Sequence, residues 1–202
     1  GPCNYVHDGI TSIMVTGADM EVMRLVVTGP VGAGKSTFIR TVSEIDVVDT
    51  DRTTTDEVAK LKPKTTVAMD FGRLQFSPGM ALHLYGTPGQ SRFDFMWDVL
   101  IDKAHAYILL VAAHRPSEFR NARLIYQYMT SRSQVPLAIG VTHVDCEGAW
   151  DVEDVAIALG FGAAARPPVV TLNANSAYSV AQSLMVLVAQ CIREAPPEAA
   201  VA

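Results

Sequence analysis

The run Gly29-Pro30-Val31-Gly32-Ala33-Gly34-Lys35-Ser36 has the spacing G-x-x-x-x-G-K-S. In that arrangement glycines let backbone N–H groups turn inward around a phosphate. A lysine then reaches the outer phosphates, and a serine hydroxyl faces Mg²⁺. The apolar stretch Met23–Thr28 enters the loop as a buried strand would, and Thr37–Glu44 leaves it as a helix. A helix opening there presents its positive end to an anion. The loop predicts a nucleoside triphosphate site, with contacts from Gly29, Val31, Gly32, Ala33, Gly34, Lys35, Ser36 and Thr37.

Alternating strand and helix signals must position this loop. Strands are expected at about 22–28, 66–71, 81–85, 106–112, 137–141 and 169–172, and helices at about 35–45, 91–102, 117–131, 151–159 and 177–193. The continuous apolar run Ala106–Ala112 suits a strand covered on both faces. A short link at Ser77-Pro78-Gly79 makes the second and third strands an antiparallel hairpin. The polar stretch 46–65 reads as a long loop. The expected fold is α/β: a three-layer P-loop NTPase, with a six-stranded, mostly parallel sheet, one antiparallel strand and helices on both faces. Ligand should sit at the carboxyl ends of the strands. Residues 20–194 are expected to form this one domain. Residues 1–19 read as a tag remnant (Gly1-Pro2 resembles a protease scar) and a flexible extension, and 195–202 as a flexible tail.

Composition narrows the partners. The chain has 202 residues, 49% of them apolar, and a net charge of −5. With no basic stretch, nucleic acid is not an expected partner. No segment approaches the roughly 18 apolar residues that direct membrane insertion requires, and no lipidation box is visible. The cysteines Cys3, Cys146 and Cys191 are few and odd in number, which fits a reducing cytoplasm. No Cys/His group has zinc spacing.

Further motifs follow in order: Thr66 opening a strand, Gly86-Thr87-Pro88-Gly89-Gln90, Thr142-His143-Val144-Asp145, and Asn173-Ala174-Asn175 after the last strand. Over about 22–193 this resembles a bacterial Ras-like small GTPase. It is similar in particular to the MglA and roadblock-associated, SRP-receptor-beta-like branch, through Thr66–Phe71 and His83–Gln90. The resemblance implies a GTP/GDP switch with slow, partner-stimulated GTP hydrolysis, Mg²⁺ as cofactor, and a roadblock-domain or other regulator. The alternatives are a nucleotide-binding scaffold with negligible turnover and an ATP-using P-loop phosphotransferase. No arginine-rich lid of the kind such kinases carry is visible.

The resemblance also implies roles. Asp145 would accept hydrogen bonds from guanine N1–H and the exocyclic amine, although a helix cap or a turn acid also fits it. Thr142 would support that turn. His143, where the family has Lys, would stack on the base. Ala174 would supply a backbone N–H to the guanine O6, with Asn173 beside it in the nucleotide-binding loop, unless this is an ordinary helix-entry loop. Ser36 and Thr66 would be the metal's hydroxyl ligands, with Thr65 as the alternative to Thr66. Gly89 would donate its N–H to the γ-phosphate and Gln90 would orient the attacking water, so that Gln90, Lys35 and Thr66 form the catalytic set.

Gly86 stands where the family's D-x-x-G aspartate is expected. Asp70, on the same strand face as Thr66, is the suggested replacement, against the plain alternative of a solvent-facing strand acid. Val31 would crowd the γ-phosphate. Arg52 and Arg92 are read as surface charges, so no internal arginine is assigned. Phe93, Phe95 and Trp97 are read as core, with a partner-binding hot spot as the alternative. His83 and His105 are read as packing or surface histidines, and the helix with Arg120, Arg123 and Tyr126 as an ordinary amphipathic surface helix.

Overall fold

The computed structural model describes residues 21–43, 48–49, 70–88, 95–162 and 165–194. Its centre is β1 (Glu21–Thr28), flanked by two parallel strands, β4 (Met80–Gly86) and β5 (Ala106–Ala112). β6 (Leu137–Thr142) and β7 (Val169–Thr171) continue the sheet beyond β5, and β3 (Asp70–Ser77) and β2 (Val48–Asp49) continue it beyond β4. The order is β2-β3-β4-β1-β5-β6-β7. The six expected strands are present. The two-residue β2 adds an edge pairing inside the stretch read as a loop. β3 runs antiparallel to both neighbours, so it alone opposes the direction of the others.

Strand alternation distributes side chains to two cores. From β1, Leu25 and Val27 face one layer of helices while Val26 faces the other. The first layer is α1 (Lys35–Val42) and α5 (Ala177–Glu194), which bring Phe38, Ile39, Val180, Leu184 and Leu187 against the sheet. The second is α2 (Phe95–Lys103), α3 (Phe119–Arg132) and α4 (Val152–Ala158), with Trp97, Leu100, Met129 and Val155. Every residue of β5 is buried, as expected for a strand covered on both sides.

Two boundaries differ from expectation. β3 continues through Gly72–Ser77, beyond the expected end at Phe71. Gly72 disguises this strand, because a Cβ there would lie 2.6 Å from Ile39 Cγ2 and still nearer Ser43 Oγ. The glycine admits α1 to the sheet rather than breaking the strand. α1 ends at Val42, where Ser43 turns extended.

Trp97 is 1% exposed and packs edge-on to Tyr128, so it belongs to the core. The side chains of Phe93 and Phe95 lie outside the described residues. His105 is buried and accepts a hydrogen bond from the Arg24 backbone N–H (2.8 Å), and His83 packs edge-on to Phe71. Both are packing histidines. Arg120 and Arg123 are exposed on α3, and Tyr126 packs edge-on to Phe161.

Candidate nucleotide site

The carboxyl ends of β1, β5, β6 and β7 open on one edge of the sheet, and the loops that follow them build the site. The phosphate loop leaves β1 at Gly29. There φ is +145°, and a Cβ would lie 2.3 Å from the Leu110 carbonyl oxygen of β5. Only glycine tolerates both the conformation and that approach. Gly32 (φ +80°) and Gly34 (φ +100°) continue the turn into α1. Ala33 is buried at the foot of the loop.

Lys35 is 9% exposed, and its ammonium donates to the carbonyls of Gly29 (2.6 Å) and Pro30 (3.0 Å). Burial lowers its pKa to about 8, with Asp70 and Glu118 pulling it partly back. The lysine is thus held along the crest of the loop, in reach of an anion seated there.

Ser36 donates its hydroxyl to the carboxylate of Asp70, on β3. Thr37 is half-buried beside it. Thr87 is anchored by its N–H to the Val27 carbonyl (3.0 Å) and by its hydroxyl to Thr28 (3.1 Å). Val31, Gly32, Lys35, Ser36, Asp70 and Thr87 line a cavity of about 490 Å³. A hydroxyl beside a carboxylate is a hard-oxygen donor pair of the kind Mg²⁺ takes, with phosphates and waters as its other ligands. Among the described residues no cluster of three or more His, Cys, Asp or Glu could hold a metal by itself. The donor set therefore fits an ion shared with a phosphate.

A second cavity, of about 380 Å³, is lined by Thr142–Cys146, Thr171–Asn175 and Ser179. The two cavities meet at Gly34, where a Cβ would lie 3.4 Å from Ala174 Cβ and 4.0 Å from His143 Cε1. Thr142 is 1% exposed and its hydroxyl donates to the Ala33 carbonyl (2.9 Å). It therefore braces the phosphate loop rather than facing the cavity's centre.

His143 takes φ +59°, and its ring stacks on His114 with centroids 4.5 Å apart. Its Nδ1 lies 2.9 Å from Thr142 Oγ. Burial, then His114 and Arg115, depress the His143 pKa, and Asp145 opposes them. Asp145 is exposed at the cavity rim. Asn173 orders its loop by accepting from the Asn175 N–H (2.9 Å), and Ser179 Oγ accepts from the Asn173 N–H (2.9 Å). The Ala174 carbonyl accepts from Thr41 of α1 (2.5 Å).

The structure thus gathers Gly29 to Thr37, Thr142, His143, Asp145, Asn173 and Ala174 around two neighbouring cavities. Thr65, Thr66, Gly89 and Gln90, with Arg52 and Arg92, lie outside the described residues. The sequence reading passed over three residues: Thr87, His114 and Arg115. The last two lie two and three residues beyond β5, whose carboxyl end is expected to face ligand, and that position was the available signal.

No curated protein matches the chain. Among solved structures, the G domain of the T. maritima FeoB iron transporter is similar, with a TM-score of 0.61 and 14% identity. That alignment covers 84% of this chain and 99% of the FeoB domain. At this identity the likeness speaks for the fold alone, a G-domain type of P-loop architecture. It does not single out the MglA branch or a roadblock-domain partner. No helix among the described residues is long and apolar enough to cross a membrane. A profile of the family described as "conserved hypothetical ATP binding protein" matches residues 45–190, well over half of the chain. This protein belongs to that family.

Proposed function

We propose that the protein is a guanine-nucleotide switch. It binds GTP with Mg²⁺, hydrolyses it slowly to GDP and phosphate, and meets a partner according to the nucleotide held. One observation carries this reading. The cavity lined by Asp145 lies beside the phosphate loop, with Ala174 and His143 next to Gly34, and one nucleotide reaching across both would put its base beside Asp145. A carboxylate at the base end suits guanine, which offers N1–H and an amino group side by side. Adenine presents an unprotonated N1 there, which repels a carboxylate.

Ser36 and Thr66 would hold Mg²⁺, with Asp70 orienting Ser36. The ion would supply charge neutralisation between the β- and γ-phosphates. Lys35 binds those phosphates, Gly89 donates its N–H to the γ-phosphate, and Gln90 positions water. The segments 46–66 and 86–98 are the proposed switch regions. Val31, 58% exposed at the loop, crowds the γ-phosphate and keeps turnover slow. Kinship with the polarity-switch branch and a roadblock-domain regulator rest on the order of the sequence motifs, and a cytoplasmic location on the few, odd-numbered cysteines.

Displacement of a fluorescent GDP by GTP, GDP and ATP, with Mg²⁺ present, tests the reading. GTP and GDP are expected to compete at least about 100-fold better than ATP, the size of a two-hydrogen-bond discrimination. Equal competition by ATP overturns it. The family's description supports a second reading, an adenine-nucleotide site, which the same panel decides.

A further inference from the structure

Arg115 stands three residues beyond the end of β5 and reaches back across the phosphate loop. Its Nη1 donates to the Val31 carbonyl at 3.2 Å. A Cβ on Gly32 would lie 1.9 Å from Nη1 and 3.0 Å from Cζ, so the tip of the guanidinium takes the room that a side chain on Gly32 would need. Lys35 donates to the carbonyls of Gly29 and Pro30, the two residues just before Val31. Three consecutive carbonyls of the phosphate loop therefore accept from two cationic side chains.

Nothing in the fold asks for this second cation. Arg132 and Arg166 pair with Asp98 and Glu153, but no carboxylate among the described residues pairs with Arg115. The side chain is exposed. A guanidinium has five N–H donors in a planar fork, and among the described residues only one is engaged. Such a loop sends its lysine to the linkage between the β- and γ-phosphates. A cation beside that lysine meets the same linkage.

Resting on the nucleotide reading above, we propose that Arg115 is the site's arginine for phosphoryl transfer, supplied by the chain itself. On triphosphate binding its fork turns from the Val31 carbonyl to the β–γ bridging oxygen and a γ-phosphate oxygen. Water then forms a bond to the γ-phosphorus as the bond from phosphorus to the bridging oxygen breaks. The electron pair stays on the departing diphosphate, which Arg115 neutralises, and the water's protons go to the released phosphate and to solvent. Arg115 lies outside the segments 46–66 and 86–98, which hold Arg52 and Arg92.

The test compares wild type, Arg115→Ala and Arg115→Lys with Mg²⁺ present. The readouts are single-turnover hydrolysis of bound GTP, affinity for GTP and for GDP, and formation of a complex with GDP and aluminium fluoride, which mimics the transferring phosphoryl group. Arg115→Ala is expected to slow hydrolysis by about 10² or more, toward the 10³–10⁵ an arginine supplies elsewhere. Its affinities should stay within about threefold of wild type (~0.7 kcal/mol), and it should form no fluoride complex. Arg115→Lys should recover little, because a point charge cannot span two oxygens.

Unchanged hydrolysis in Arg115→Ala overturns the proposal. So does a parallel loss of GTP and GDP affinity with bound GTP cleaved at the wild-type rate, which marks a mere brace. A wild type that holds GTP but forms no fluoride complex overturns it too. A wild type that binds only adenine nucleotides overturns the guanine reading alone if Arg115→Ala still slows ATP cleavage, and overturns both if it does not.

Discussion

Asp70 occupies the room that a side chain on Gly86 would need. A Cβ built on Gly86 would lie 3.2 Å from Asp70 Cβ and 3.1 Å from Ile39 Cδ1. A side chain at Gly86 would therefore be tight against both, and the carboxylate of Asp70, on the neighbouring strand, accepts from Ser36.

Asp70→Ala is expected to raise the Mg²⁺ concentration needed for nucleotide retention by about 10–100-fold, the usual effect of losing a partner that orients a metal ligand. Gly86→Asp alone should destabilise the fold by crowding Asp70. Joined to Asp70→Ala, it should fold and recover part of the Mg²⁺ response. Mg²⁺ titration of labelled-GDP release reads both effects, and an unchanged midpoint in Asp70→Ala removes the carboxylate from the metal's surroundings.

Asp145→Asn exchanges a double acceptor for one donor and one acceptor. That suits xanthine, which carries a carbonyl where guanine has its amino group. GTP affinity should fall by about 10²–10³, from two charge-assisted hydrogen bonds of about 1.5–3 kcal/mol each, partly replaced by water. Xanthosine triphosphate should gain. Competition binding with the two nucleotides checks the inversion, and equal GTP binding by both proteins would show that Asp145 does not face the base.

Lys35 links nucleotide binding to pH. Burial sets its pKa in the free protein at about 8, and a bound triphosphate favours the charged form. Above pH 8 binding must therefore take up a proton, and affinity should fall about tenfold per pH unit. Below pH 8 this dependence vanishes. Calorimetry at pH 8.5–9 in buffers of different ionisation enthalpy should show uptake approaching one proton. Zero uptake would mean that Lys35 is already charged when free.

His105 makes stability depend on acid. Burial, then the charge of Arg24, lowers its pKa to about 4, and the Arg24 N–H donates to Nδ1. The unfolded chain binds a proton near pH 6.5 and the folded chain only near 4. Stability is therefore full above about 6.5 and declines as pH falls toward 4, by up to about 3 kcal/mol. His105→Asn, which keeps an acceptor but cannot titrate there, should flatten the thermal-midpoint profile across that window. A profile as steep as wild type would place the titration elsewhere.

Much of the fold was legible in local pattern. Ala106–Ala112 forms a strand with the expected bounds because its unbroken apolar run suits burial on both faces. The β3–β4 hairpin followed from a short link with glycine at its turn. The strand past Phe71 was illegible because Gly72 answers a helix packed across the sheet rather than any neighbour in sequence. Trp97 resisted a single assignment for a similar reason. An aromatic on the helix after Gln90 suits either core or interface, and only the packing against Tyr128 puts it in the core.

By itself the sequence determined the phosphate loop. Its glycines, lysine and serine act on one anion through consecutive backbone amides, so their spacing alone carries the chemistry. Only the tertiary structure decided which distant groups join them. Asp70 meets Ser36 across 34 residues and Arg115 meets Val31 across 84. Those meetings depend on which strands lie adjacent and how closely a loop passes over a bare glycine. Sheet order and packing set these relationships, and spacing along the chain does not encode them.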